Sequence, residues 1–139
     1  MGVLLFSSTM GKAEYKVRRI LRQLGQDVEG FRSIKRLFMR FEQPRGDIRV
    51  IILLIPDHHT LNELIAMRDL IYDLPVVLSL PDSRRETLLK GHKFYPRFIM
   101  FTDGDYAGFA EALQNIIHRE GMLFHTTMVS GISEGLWLG

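Results

Sequence analysis

The chain has 139 residues, of which 46% are hydrophobic and 24% are charged, values that suit one globular domain with a single hydrophobic core. Cysteine is absent, which excludes disulfide bonds, thiolate metal sites and cysteine nucleophiles and favours a cytoplasmic protein. No apolar run approaches the roughly 18 residues that cross a bilayer, and no basic residues precede the short run Val3–Phe6, so we expect neither a membrane span nor a signal peptide.

Charge is unevenly distributed along the chain. Residues 1–50 carry 11 basic and 5 acidic side chains, whereas residues 51–139 carry 7 and 11. Two interpretations stay open: solvated helix faces with acidic loops, or a basic face that meets an acidic partner such as a second copy of the chain. The basic residues are not interleaved with aromatic residues in a recognisable groove-reading motif, so we expect no binding of nucleic acid.

Short apolar runs alternate with amphipathic stretches, which predicts a β/α fold. The first strand is Val3–Phe6, and a helix follows over Lys12–Leu24, before a glycine at the position that favours one. A short second strand is predicted at Asp27–Arg32. The helix has apolar residues at the i, i+3, i+4 and i+7 spacing of one buried face, namely Val17, Ile20, Leu21 and Leu24.

The second helix begins after Ser33, its predicted N-cap, and stops at Pro44. The third strand lies in the stretch Arg49–Asp57, read as RVIILLIPD. Every residue from Val50 to Ile55 is apolar, which predicts a central parallel strand covered on both faces. The predicted buried face of the second helix consists of Ile34, Leu37, Phe38 and Phe41.

Two capping boxes follow in the second half of the chain. Thr60–Glu63 is predicted to open a third helix that runs to Tyr72. After the fourth strand, Pro75–Leu80, the box Ser83–Glu86 opens a fourth helix that ends at Gly91.

The last predicted strand is Phe98–Phe101, and Asp105 is the predicted N-cap of a fifth helix. The inner face of that helix is predicted to consist of Phe109, Ala110, Leu113, Ile116 and Ile117. Five β/α units predict an α/β fold, with a five-stranded parallel sheet in a doubly wound, three-layer α/β/α sandwich. Ligands of such sheets bind at the carboxyl ends of the strands.

Residues 1–118 would form this domain, and residues 119–139 are an apolar C-terminal extension. The segment Met122–Val129 is β-prone, and Trp137 lies near the end of the chain. Because so apolar a segment is costly to expose to water, we expect the extension to dock on the domain or on a second subunit.

The order and spacing of these elements resemble the receiver domain of two-component response regulators over residues 2–118. The resemblance rests on Phe31–Ser33 before the second helix, Ile55–Asp57 at the end of the third strand, and Leu74–Val77 at the start of the fourth strand. It implies a flavodoxin-like, receiver-like fold and a role in signal transduction.

The resemblance also implies where a phosphorylation site would lie. Receivers hold Mg²⁺ with acidic residues after the first strand, where this chain has Ser7 and Ser8. The phosphoacceptor aspartate, counted back from the proline after the third strand, corresponds to Ile52. The hydroxyl residue that ends the fourth strand corresponds to Leu80, with Ser79 one position away. Phe101 and Thr102 stand where receivers have the lysine that ends the fifth strand. The resemblance therefore places none of the usual functional groups at these positions.

An aspartyl phosphate requires a carboxylate nucleophile, a metal ion and a nearby cation, so the loss affects the whole reaction. We therefore expect a degenerate receiver, or pseudo-receiver. It would be a non-enzymatic regulatory module without metal or cofactor that acts by protein–protein interaction in a signalling pathway, as a homodimer.

Three polar residues after the third strand invite other interpretations. Asp57 could be a shifted phosphate acceptor, but its position after a proline favours a loop or turn residue. His58 and His59 would point to opposite sides of an extended segment, so we expect them to form no metal site.

The loop after the first strand supports an alternative function. Ser8, Thr9, Gly11 and Lys12 resemble the phosphate loop of flavodoxins, in which hydroxyl and backbone N–H groups bind the FMN phosphate at a helix N-terminus. This predicts an FMN-binding or nucleotide-binding protein. The segment Asp57–Thr60 offers no Trp or Tyr to stack on the flavin, and an ordinary β/α turn explains the loop equally.

Aromatic residues around the fifth strand predict a contact surface. Phe94 and Tyr95 precede this strand, Tyr106 follows it, and Trp137 lies in the C-terminal extension. Receivers build their dimer or output face in this region, so all four residues are predicted interface anchors. Packing in the core or at its rim is the alternative for Phe94 and Tyr95.

Overall fold

The computed structural model describes residues 2–44, 46–118 and 128–129. Strands alternate with helices as predicted, and short 3₁₀ helices over Arg68–Leu70 and His92–Phe94 follow the third and fourth α-helices. In chain order the elements are β1 (Gly2–Ser7), α1 (Lys12–Gln23), β2 (Asp27–Phe31), α2 (Ile34–Arg40), β3 (Ile48–Leu54), α3 (His58–Ala66), β4 (Val76–Leu80), α4 (Arg85–Gly91), β5 (Phe98–Phe101), α5 (Phe109–His118) and β6 (Met128–Val129).

All the strands pair in parallel in one sheet, in the order β2-β1-β3-β4-β5-β6. The predicted parallel sheet of five strands is confirmed, with β1 and β3 at the reversal of strand order that marks a doubly wound fold. The two-residue strand β6 adds to it by pairing beside Phe98 and Ile99. The predicted boundary at residue 118 and the docking of the rest of the extension stay predictions, and Trp137 lies outside the described residues.

Helices cover both faces of the sheet, which is why β3 is apolar throughout. On one face, Val17 of α1 and Phe109 of α5 pack with Ile52, and all three are fully buried. On the other face, Leu37 of α2 and Leu61 of α3 belong to the second core cluster. Burying one such side chain stabilises the fold by about 1.5–3 kcal/mol before the cost in conformational entropy. In the part of the chain that the structure describes, no helix is long and apolar enough to cross a membrane.

The two predicted capping boxes are wrong. Helix α3 begins at His58, and the side chain of Asp57 caps it by accepting a hydrogen bond of 2.8 Å from the Thr60 N–H. Asp57 provides a capping oxygen in an extended backbone conformation, so Thr60 becomes part of the first turn. Helix α4 begins at Arg85 without a side-chain cap, and α3 ends at Ala66 instead of Tyr72.

Two other helix predictions are corrected. Asp105 accepts a hydrogen bond from the Ala107 N–H and closes a turn before α5, which begins only at Phe109. Phe38 was predicted on the buried face of α2 but is 46% exposed. Arg40 is buried instead, and its guanidinium bonds to Glu29 and to the Pro44 carbonyl. The predicted cap Ser33 is confirmed, since its hydroxyl accepts from the Arg36 N–H.

Candidate functional site

A cavity of about 390 Å³ opens at the carboxyl ends of the parallel strands, where folds of this kind bind their ligands. The loop after β1, the first turns of α1, the end of β3 and the loop after β5 surround it. Its lining consists of Ser7, Thr9, Gly11, Lys12, Ala13, Glu14, Lys16, Leu54, Ile55, Pro56, Thr102, Asp103 and Gly104.

Leu54 is the β3 residue that faces this cavity. The register places it between Ser7 of β1 and Ser79 of β4. Ile52 lies two residues deeper in the strand and is fully buried in the core. The receiver resemblance placed Ile52 at the site, but it does not line the cavity. Counting residues back from Pro56 selects a position too deep in the strand, because β3 continues to Leu54 and both Ile55 and Pro56 line the cavity. The corrected position is also apolar.

The side chains at the ends of the other strands bond to the backbone. The Ser7 hydroxyl donates to the Thr9 carbonyl at 2.7 Å, and Ser8 is exposed outside the lining. The Thr102 hydroxyl donates to the carbonyl of Leu80 at 3.2 Å and lies 3.4 Å from that of Ile55. Thr102 therefore links the ends of three neighbouring strands, at the position that resembles the receiver lysine.

The end of β4 offers no hydroxyl to the cavity. Leu80 is fully buried in the core beneath α2, α3 and α4. Its neighbour Ser79 is also fully buried and lies on the opposite face, with its hydroxyl 3.5 Å from that of Tyr106. Burial raises the pKa of Tyr106, a change that the Ser79 hydroxyl partly offsets and Asp103 reinforces.

Glu14 is the principal residue of this site that the sequence patterns missed. Both Arg32 nitrogens and the Arg18 Nε, the latter at 2.7 Å, donate to its carboxylate. Burial raises the pKa of Glu14, but hydrogen bonds from Arg32, Arg18 and Ser7 outweigh this effect and hold it below its usual value. The spacing of four residues between Glu14 and Arg18 was an available signal for the first pair. No local signal indicates Arg32, which follows another strand.

The cavity has mixed charge, since two lysines, Lys12 and Lys16, and two acidic residues, Glu14 and Asp103, line it. Lys16 is held with its Nζ 5.6 Å from the centre of the Tyr106 ring, a cation–π distance. Mg²⁺ prefers carboxylate ligands, and the lining contains two, Glu14 and Asp103. Glu14 already binds two guanidinium groups, so it is not available to a metal ion. The described lining therefore does not fit the magnesium site that the receiver-like fold implies.

The predicted phosphate loop is only partly at the cavity. Thr9, Gly11 and Lys12 line it, whereas Ser8 does not. Gly11 precedes α1 in an extended conformation, and no side chain caps this helix. The buried Glu14 carboxylate lies in the first turn of the same helix and is already bound by Arg32 and Arg18.

The two neighbouring histidines have different partners. His58 Nε2 lies 2.8 Å from Asp82, whereas His59 pairs with Glu63 within α3. Asp82 also accepts from the Thr87 hydroxyl at 2.5 Å, and the hydrogen bonds from Thr87 and His58 lower its pKa far below the usual value. This cluster, which we call the Asp82 cluster (His58, Asp82, Arg84 and Thr87), joins the starts of α3 and α4. Among the described residues, no group of three or more potential metal ligands is present.

The predicted interface residues differ strongly in their exposure to solvent. Phe94 and Tyr106 are 4% and 5% exposed, so they pack inside the domain and are not contact residues. Tyr95 is 77% exposed and has a positive φ of 51°. Leu89 of α4, a few residues earlier, is 59% exposed and was not predicted as a contact. Trp137 lies outside the described residues.

No family model and no curated protein matches this chain. Among solved structures, the chain is similar to the crystal structure of a LuxR family DNA-binding response regulator from Silicibacter pomeroyi. The similarity covers 93% of this chain and 96% of the other, at 14% sequence identity and a TM-score of 0.64. At this identity the likeness concerns the fold, and the chain has a receiver-like, flavodoxin-like α/β fold.

Proposed function

We propose that this chain is a receiver-like regulatory module that transmits a signal by protein–protein contact and is not switched by an aspartyl phosphate. The fold it shares with a response regulator supports a role in signal transduction. The module would act in the cytoplasm without a cofactor and would not be an enzyme.

The observation that carries this proposal is Leu54 at the end of β3. It lies between two serines in register and faces the cavity where the receiver resemblance requires a carboxylate. Aspartyl phosphate formation needs that carboxylate together with charge neutralisation of the phosphoryl oxygens. Glu14, the buried carboxylate nearby, is engaged by Arg32 and Arg18, so it is a poor nucleophile and a poor metal ligand.

Protein contact is supported by the exposed side chains around α4. Tyr95 and Leu89 are both largely exposed and lie close in sequence. A non-glycine residue in the left-handed region costs about 1–2 kcal/mol, and the exposed Tyr95 ring recovers little of this within the domain. We propose that this surface forms the contact of a homodimer or of a signalling partner.

The phosphorylation part of the proposal is tested with acetyl phosphate and with beryllofluoride, each with Mg²⁺. We expect no mass increase of a phosphoryl group in intact-protein mass spectrometry and no shifts in amide NMR spectra. A functional receiver domain treated in parallel is the positive control. Stoichiometric phosphorylation of any aspartate would overturn the proposal.

The flavin alternative has less support, because Ser8 of the predicted phosphate loop lies outside the cavity lining and the segment Asp57–Thr60 has no Trp or Tyr to stack on a flavin. Titration with FMN, followed by the quenching of flavin fluorescence, tests it directly. Saturable binding with one flavin per chain would establish the alternative and replace our proposal.

A further inference from the structure

The outer edge of β2 is open to a further strand. Strand β2 (Asp27–Phe31) stands at one end of the sheet and pairs with β1 on its inner side. Within the described ranges, no strand pairs with its outer side. Such an edge presents backbone N–H and C=O groups that an extended polypeptide can satisfy.

A cleft of about 430 Å³ runs between this edge and α2. Arg36, Met39 and Arg40 line the cleft from one face of α2, and Gln43 lines it from the turn that follows this helix. Phe31 and Arg32 line the opposite side, and Met39 is 53% exposed. The cleft therefore combines an open backbone edge with exposed apolar and basic side chains.

The charge of the cleft is predominantly positive. Three arginines and one acidic residue, Glu29, line it. Arg40 is held at the base by Glu29 at 3.1 Å and by the Pro44 carbonyl at 3.0 Å, and Arg32 is held by Glu14. The Arg36 guanidinium is exposed and makes no hydrogen bond or ion pair with the residues that the structure describes. Arg36 is thus available to an external anion.

A second arginine lies on the other face of the same edge. Arg18 passes so close to Gly30 that a Cβ at this position would lie 2.6 Å from its Nη2. Because side chains of an extended chain alternate between the two faces, acidic residues on a partner strand would meet Arg36 on one face and Arg18 on the other.

We propose that the outer edge of β2 and the adjoining face of α2 form a docking site for an extended, acidic polypeptide segment. The open edge favours a polypeptide over nucleic acid, because it offers backbone pairing that nucleic acid does not use. The apolar surface of Met39 and Phe31 would contact small apolar residues that alternate with the carboxylates on the same face of the partner strand. The inference deepens the proposed function by giving the chemistry of one partner.

The test uses a fluorescein-labelled peptide of Glu-Glu-Val-Val repeats, which presents carboxylates and apolar side chains on both faces of a strand, capped with Gly, and follows its anisotropy at low salt. We expect saturable binding that Arg36→Glu weakens at least tenfold, because the charge reversal places a carboxylate beside the ligand. Arg85→Glu is the matched control, since Arg85 is also an exposed helical arginine but lies on α4. It should change the affinity less than twofold. Equal weakening by both variants, or no binding of the peptide, would overturn the proposal.

Strand pairing is separated from simple charge attraction by N-methylating every amide of the same peptide. This change keeps the carboxylates but removes the donors, and we expect at least a tenfold loss of affinity. Undiminished binding of the methylated peptide would refute the docking mode. A labelled single-stranded RNA that binds more tightly than the peptide, and loses binding in Arg36→Glu, would identify the cleft as a nucleic-acid site instead. None of these outcomes depends on the phosphorylation test, so the two proposals can fail separately.

Discussion

Arg32 donates to the carboxylate of Glu14 from both terminal nitrogens, and this ion pair joins the end of β2 to the first turn of α1. The Arg32 side chain also donates to the Ser7 carbonyl at 3.1 Å, so one residue connects β1, β2 and α1. The Glu14 side chain is nearly buried, whereas Arg32 is 45% exposed. The interaction fixes the wall of the cavity at the carboxyl edge of the sheet.

Replacing Glu14 by Gln should destabilise the domain, because the substitution leaves two guanidinium groups without their carboxylate. With Arg32 and Arg18 both partly in water, we expect a loss of about 1–2 kcal/mol in the free energy of unfolding, measured by urea titration. Glu63→Gln is the control, since its pair with His59 is largely exposed, and it should change stability by less than about 0.5 kcal/mol. Equal effects of the two substitutions would contradict a structural role for the Glu14 pair.

Acid should weaken the fold through the Asp82 cluster. The folded pKa of Asp82 is lowered by hydrogen bonds from Thr87 and His58, so the carboxylate stays ionised in the folded state at pH values where the unfolded chain takes up a proton. Its stabilising contribution is therefore complete above the ordinary Asp value of about 3.9 and is lost as the pH falls toward the lowered pKa.

The variant Asp82→Asn lacks this titration. We expect it to be less stable than the wild-type protein at about pH 7 and to approach the wild-type stability at about pH 3, in urea titrations at both values. Thr87→Val removes the hydroxyl that donates to the Asp82 carboxylate, so in this background Asp82→Asn should cost less stability at about pH 7. A gap between wild type and Asp82→Asn that stays constant with pH would refute the assignment.

Ile52 and Leu54 should differ strongly in their tolerance of a carboxylate. Ile52 is fully buried between α1 and α5, so Ile52→Asp should lower the free energy of unfolding by about 5 kcal/mol or more and prevent folding. Leu54 borders the cavity that Lys12 and Lys16 also line, so Leu54→Asp should fold with a loss of about 2–3 kcal/mol. Circular dichroism melting curves compare the variants, with Leu54→Asn to separate charge from size. If Ile52→Asp is the better tolerated variant, the register of the site is wrong.

Tyr95 should control the oligomeric state. If the α4 surface forms a homodimer, Tyr95→Ser removes its exposed aromatic side chain, and light scattering after size exclusion should report a monomer where the wild-type protein is a dimer. Tyr72→Ser is the matched control, because Tyr72 is 79% exposed and Tyr95 is 77% exposed. A wild-type monomer, or a dimer that survives Tyr95→Ser, would show that this surface is not the dimer contact.

The receiver-like fold could be predicted from local patterns because burial on both faces makes a central strand apolar along its whole length. The run from Val50 to Ile55 has this property, and the helical stripe of Val17 and Leu21 lies on the buried face that its spacing predicted. Sequence also indicated that the end of β3 is apolar, which holds for Leu54 although the alignment selected Ile52.

Relations between distant residues were decided by the tertiary structure. The Glu14–Arg32 pair depends on the parallel pairing of β1 and β2, and the row of Ser7, Leu54 and Ser79 depends on strand register. Composition likewise did not distinguish the buried Tyr106 from the exposed Tyr95. Hydrophobic periodicity indicates which face of a helix or strand is turned toward the protein core. Which side chains meet is set by how the elements pack, and that is where the chemistry of this site is determined.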